Sequence, residues 1–114
     1  MRLPNAEQAR VDRAKVVDYL LSPVHVRGKA KAEFFLRFGF SADRWEEFAE
    51  ALRVHAASNE VVNSRETGTG TSYAVESIMN VPDGRNPTIR AVWEIGPSTP
   101  VPRLISAYPT LRER

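Results

Sequence analysis

The sequence predicts an α+β fold, with two to three N-terminal helices packed on one face of a three- to four-stranded antiparallel β-sheet. Three observations carry this. Up to Asn59 the apolar residues recur at helical spacing, beyond it they alternate as strands require, and short links join those strands as in a meander.

Leu3-Pro4-Asn5-Ala6 opens as an extended or turn-like lead-in, because a residue before proline is pushed out of the α region. Asp12 can cap a first helix along which Val16, Val17, Leu20 and Leu21 form an apolar stripe, and Ser22-Pro23 stops it. A loop, Pro23–Lys29, then carries His25. The second helix, Lys29–Phe38, turns Phe34, Phe35 and Phe38 to one side, with Gly39 as its C′ residue. Ser41 or Asp43 caps the third, and Asp43 with Glu46 fits a capping box. Its stripe is Trp45, Phe48, Ala49, Leu52 and Ala56, and Glu50 is spaced to pair with Arg53. His55, on the margin of that stripe, reads as a structural helix-end histidine.

Glu60–Glu66 reads as a short edge strand, Thr67–Thr71 as a flexible link and Ser72–Val81 as a second strand. Pro82-Asp83-Gly84-Arg85 is a turn in which Gly84 takes positive φ. Thr88–Ile95 is the best strand. It sets Ile89, Ala91, Trp93 and Ile95 on one face and Thr88, Arg90, Val92 and Glu94 on the other. After a link holding three prolines, Arg103–Tyr108 is the last strand, followed by Pro109 and a charged tail expected to fray.

With 114 residues, the chain suffices for one domain, 1–114, and one core. It has no cysteine, which excludes disulfides, thiolate metal sites and thiol nucleophiles, and its two histidines argue against a His-rich zinc centre. Neither a metal nor a cofactor is expected. No apolar run reaches the roughly 20 residues a membrane helix needs, and the N-terminus lacks a signal-peptide core, so the chain reads as cytoplasmic. The net charge of +2 hides an asymmetry: residues 1–40 hold 8 Lys/Arg against 4 Asp/Glu, whereas 41–66 hold 3 against 6. A basic head is compatible with an anionic partner.

Two places can hold chemistry. On the last strand Arg103, Ile105 and Ala107 form the more apolar set, so Ser106 and Tyr108 are expected on the open sheet face together with Arg90. The other place is the loop. His25 amid Arg27, Lys29 and Lys31 combines a group that titrates near neutrality with cations that hold phosphate, at a helix start that itself attracts anions. The Thr-Gly-Thr-Gly-Thr run at 67–71 lacks the Lys-Ser/Thr ending and following helix of a phosphate loop.

The head Leu-Pro-Asn-Ala…Tyr-Leu-Leu-Ser-Pro-x-His-x-x-Gly-Lys-x-Lys-x-x-Phe-Phe and the tail Pro-Asp-Gly-Arg-x-Pro-x-x-Arg-x-Val-Trp-x-Ile…Pro-Arg-Leu-Ile-Ser-Ala-Tyr-Pro together resemble a small bacterial family of domains of unknown function. More distantly, helices followed by an antiparallel sheet ending in Ser-Ala-Tyr-Pro are similar to the barnase–EndoU–colicin–RelE superfold of ribonuclease toxins. That similarity implies metal-independent RNA cleavage on the open sheet face and a cognate antitoxin as partner. His25, Arg90, Ser106 and Tyr108 would be catalytic, with His25 as base, and Lys29, Lys31 and Arg103 would bind substrate. The alternative is a non-catalytic protein-interaction module, the partner of a neighbouring gene product, that docks through its sheet face or its Glu46/Glu47/Glu50 helix.

Overall fold

In a computed structural model that describes residues 1–110, three helical segments precede a four-stranded antiparallel sheet of order β1-β2-β3-β4. The expected α+β meander is therefore what the chain adopts. The charged tail expected to fray lies outside the described residues. No helix among those residues is long and apolar enough to cross a membrane.

The first helical segment is not a uniform α-helix. An α turn, α1 (Arg13–Lys15), runs into a π turn, Val16–Leu20, closed by the Leu21 N–H donating to the Val16 carbonyl at 2.7 Å. Asp12 holds the N-cap position with extended backbone but makes no capping bond; its carboxylate accepts from Arg10 Nε at 2.7 Å instead. Val16, Leu20 and Leu21 are all buried, and Tyr19 between them is left half-buried. A π turn of this kind is often found at functional positions.

Helix α2 (Lys29–Arg37) ends at Gly39, whose φ of +107° suits only glycine without strain, and it buries Phe35 completely. Helix α3 (Trp45–Ala57) is preceded by a 3₁₀ turn, Ala42–Arg44, capped by the Ser41 hydroxyl accepting from the Asp43 N–H at 3.2 Å. Because that turn intervenes, no side-chain capping bond is made at the start of α3 and the Asp43–Glu46 box does not form. Glu50 and Arg53 do pair, at 3.2 Å. Phe35, Phe40 and Phe48 interlock, with ring centroids 4.7–4.8 Å apart for the Phe35–Phe48 and Phe40–Phe48 pairs. Such pairs each add about 0.5–1.5 kcal/mol beyond area burial.

The strands are β1 (Val61–Glu66), β2 (Thr71–Ile78), β3 (Thr88–Ile95) and β4 (Arg103–Pro109). On the covered face of β3, Ile89, Ala91 and Trp93 lie against the helices with no exposed surface, as the alternation predicts. Strand β4 departs from strict alternation. Its register against β3 shifts between Val92 and Trp93, so that Leu104 and Ala107 both turn into the core. One extra residue, Ile105, absorbs the difference as a bulge does. Simple alternation groups Leu104 with Ser106 and Tyr108; the bulge separates them. Ser106 lies opposite Val92 and Tyr108 opposite Arg90, on the face away from the core.

Strand β4 forms one edge of the sheet, and two segments cover it. Near its start the N-terminal segment runs parallel to it, with the Arg10 N–H donating to Pro102 at 2.8 Å and the Leu104 N–H to Arg10 at 3.0 Å. Further along, the π turn and α2 come against it. Beside the bulge at Ile105–Ser106, those helical elements meet the sheet edge and form the candidate site.

Candidate functional site

The site is centred on Tyr19, Lys31 and Ser106. The Lys31 ammonium donates to Tyr19 Oη at 2.5 Å and to Ser106 Oγ at 3.1 Å, and the two hydroxyl oxygens are 3.4 Å apart. Lys31 lies two residues into α2, Tyr19 comes from the π turn and Ser106 follows the bulge in β4, so three separate pieces of the chain build the cluster. Beside it opens a cavity of about 610 Å³ lined by Lys15, Asp18, Tyr19, His25, Arg27, Ile105 and Ser106 with Ala14. Asp18 is the single anion in that lining, against Lys15 and Arg27.

The His25 loop closes over this cluster. Its imidazole meets the Tyr19 ring edge-on, with centroids 4.9 Å apart, and its Nδ1 accepts the backbone N–H groups of Arg27 and Gly28, each at 3.0 Å. With Nδ1 occupied as an acceptor, the neutral ring carries its proton on Nε2. Gly28 is required for the approach. A Cβ there would sit 2.5 Å from the Tyr19 carbonyl oxygen and 2.9 Å from Cδ1 of its ring.

Electrostatics single out Tyr19. Burial alone would raise its phenol. Hydrogen bonds from Lys31 and Ser106, with the charges of Lys31 and Lys15, outweigh burial and hold it below the ordinary tyrosine value. Lys15 Nζ stands 5.3 Å and Lys31 Nζ 4.9 Å from the centre of the ring.

Of the residues singled out from sequence, His25, Lys31 and Ser106 come together here. Tyr108 adjoins them, with Lys31 Nζ 5.6 Å from its ring centre. Arg90 lies opposite Tyr108 but outside the His25 cavity: it is paired with Glu76 at 2.9 Å and lines, with Tyr108, Asn63, Arg65 and Ser72, a depression of about 180 Å³ on the open sheet face. Lys29 is exposed and does not line the His25 cavity. Arg103 belongs to a third cavity of about 660 Å³, where it pairs with Glu94 at 3.2 Å beside Arg10 and Thr69. There the Thr69 and Thr67 hydroxyls and Arg103 outweigh desolvation and keep the Glu94 carboxyl below its usual range. The convergence is thus at the β4 edge rather than spread across the open face.

Sequence reasoning missed Tyr19. The available signal was its place immediately before the buried Leu20-Leu21 pair, just off the apolar stripe, with Lys15 one turn earlier. It did anticipate that His55 is structural. His55 is 3% exposed, and Nε2–H donates to the carbonyls of Ser77 and Ile89 at 3.1 Å each. Among the described residues, no group of three or more His, Asp or Glu side chains is placed to hold a metal ion.

Helices feeding a four-stranded meander make up a fold shared with a chain of a bacterial toxin–immunity complex. A chain of the contact-dependent growth inhibition toxin–immunity protein complex from Klebsiella pneumoniae 342 is similar to this one, with a TM-score of 0.67 and 25% identity over 88% of this chain and 98% of that one. The protein belongs to the family described as Domain of unknown function (DUF6883), whose model matches residues 2–111, as the head and tail motifs imply. No curated protein matches the sequence.

Proposed function

We propose that the protein is a toxin-type endoribonuclease that needs no metal ion and works at the junction of the His25 loop, α2 and β4. The observation that carries this reading is the convergence of Tyr19, His25 and Ser106 on one cationic cavity, with Lys31 bonded to Tyr19 and Ser106 beside it. An RNA phosphodiester carries its own nucleophile, the 2′-hydroxyl. The protein must therefore supply charge for the phosphate, a proton acceptor and a proton donor. Lys31, Lys15 and Arg27 supply the charge. His25 Nε2–H is a hydrogen-bond donor for a phosphate oxygen, and the Tyr108 ring offers a stacking surface for an unpaired base. The likeness to a chain of a toxin–immunity complex supports a toxin reading and a cognate protein partner.

Purified protein incubated with total RNA and a chelator should cleave it, and His25→Ala and Lys31→Met should each lose that activity while remaining folded. RNA left intact over a wide range of protein concentration would sink the proposal. A second reading has one observation in its favour. The similar complex holds an immunity protein as well as a toxin, so likeness to one of its chains supports a partner role as readily as a toxin role. Expression of the isolated chain separates the two, since a toxin arrests growth and a partner protein does not.

A further inference from the structure

The site needs a proton acceptor, and the histidine is poorly placed to be one. His25 Nδ1 is taken by two backbone N–H groups, so its Nε2 presents a hydrogen rather than a lone pair. Tyr19 is placed differently. The residue lines the cavity and its oxygen contacts Lys31 and Ser106, while Lys15 from α1 stands near its ring, the His25 ring meets its edge, and Asp18 and Arg27 share the lining. Lys31 and Lys15 therefore act on the phenol from α2 and α1, with Arg27 and Asp18 elsewhere in the same lining, an arrangement that favours the phenolate.

We propose that Tyr19 accepts the proton of the 2′-hydroxyl and that Lys31 gives a proton to the departing oxygen, an assignment that rests on the ribonuclease reading above. The 2′-oxygen bonds to phosphorus as its proton passes to Tyr19 Oη. The bond from phosphorus to the 5′-oxygen breaks, and that oxygen takes a proton from Lys31 Nζ. The products are a 2′,3′-cyclic phosphate and a 5′-hydroxyl. Tyr19 then returns its proton to the neutral Lys31 amine across their hydrogen bond, and no co-reactant is consumed. Ser106, bonded to both, fixes the pair. The depressed phenol of Tyr19 agrees with this role.

The test has two readouts on the full chain. In an ultraviolet pH titration, one of the three tyrosines should ionise below the ordinary value of about 10. That transition should vanish in Tyr19→Phe, move up in Lys31→Met and stay low in Lys31→Arg. In the pH profile of kcat/KM on an RNA oligonucleotide, the limb where activity rises with pH should track that same transition. Tyr19→Phe should lose about 10²–10⁴-fold, the usual contribution of general acid–base catalysis. His25→Gln should lower the rate without moving the limb. Ordinary tyrosine titration, or a limb that follows His25, in a protein that does cleave RNA would overturn the assignment and leave the ribonuclease reading standing. Absence of RNA cleavage beside a low Tyr19 titration would instead remove the ribonuclease reading, and the proton-transfer role with it.

Discussion

Lys31 and Ser106 are 75 positions apart in sequence and 3.1 Å apart in space, and this contact ties the N-terminus of α2 to the edge strand of the sheet. A lysine in the first turn of a helix opposes the helix dipole. Here it is held by two hydroxyl oxygens and faces two aromatic rings, Tyr19 and Tyr108. The ammonium is thereby fixed beside the cavity instead of extending into solvent.

Ser106→Ala isolates the role of that contact. Removing the hydroxyl leaves Lys31 bonded to Tyr19, so the loss should be that of one hydrogen bond to a charged group, about 1.5–3 kcal/mol at most. Cleavage should fall by roughly ten- to a hundredfold on that scale, less than in Lys31→Met, with the fold intact by circular dichroism. A Ser106→Ala enzyme as fast as wild type would show that the hydroxyl does not position the pair.

Gly28→Ala should separate the loop from the tyrosine. The added Cβ would fall 2.5 Å from the Tyr19 carbonyl oxygen, a clash that backbone movement must relieve. Overpacking of this sort costs about 1–3 kcal/mol. The urea midpoint should drop accordingly, and activity should drop with it because the two amides that hold His25 move. Unchanged cleavage in this variant would mean that the loop position is immaterial to function.

His55 predicts a pH dependence of stability. Burial pushes its imidazole below the ordinary value, outweighing the bonds to Ser77 and Ile89 that act in the opposite sense. The unfolded chain then binds a proton that the folded chain does not as pH falls through about 6.5. Its contribution is therefore complete above that pH and is lost on acidification towards the folded pKa, by at most about 1.4 kcal/mol per pH unit. Unfolding free energies from urea titrations at stepped pH should show this decline in wild type and a smaller one in His55→Gln. Equal slopes in the two proteins would count against the assignment.

Much of the fold was legible in the sequence because it rests on local periodicity. The Ile89/Ala91/Trp93 alternation and the Phe48/Leu52/Ala56 stripe each follow from neighbours a few residues apart, and each faces the core as read. The turn at Gly84, with φ of +82°, is likewise a local matter. The candidate site was legible in part. Cations around a single histidine marked the loop, and the Ser-Ala-Tyr run marked the strand.

What sequence could not supply was the meeting of the two, and the reasons are physical. A π turn alters the phase of the first helical segment, so spacing rules for an α-helix do not place Tyr19. One bulged residue at Ile105 re-aims Ser106, and register has no local signature when both faces of a strand carry mixed side chains. The amino-acid sequence by itself determined a family member with two to three N-terminal helices, a three- to four-stranded antiparallel sheet and a basic head. Only the tertiary structure decided that Tyr19, His25 and Ser106 line one cavity with Lys31 bonded beside them, and that Arg90 and Arg103 lie elsewhere, because packing of the helices against the β4 edge brings together residues that no local rule connects.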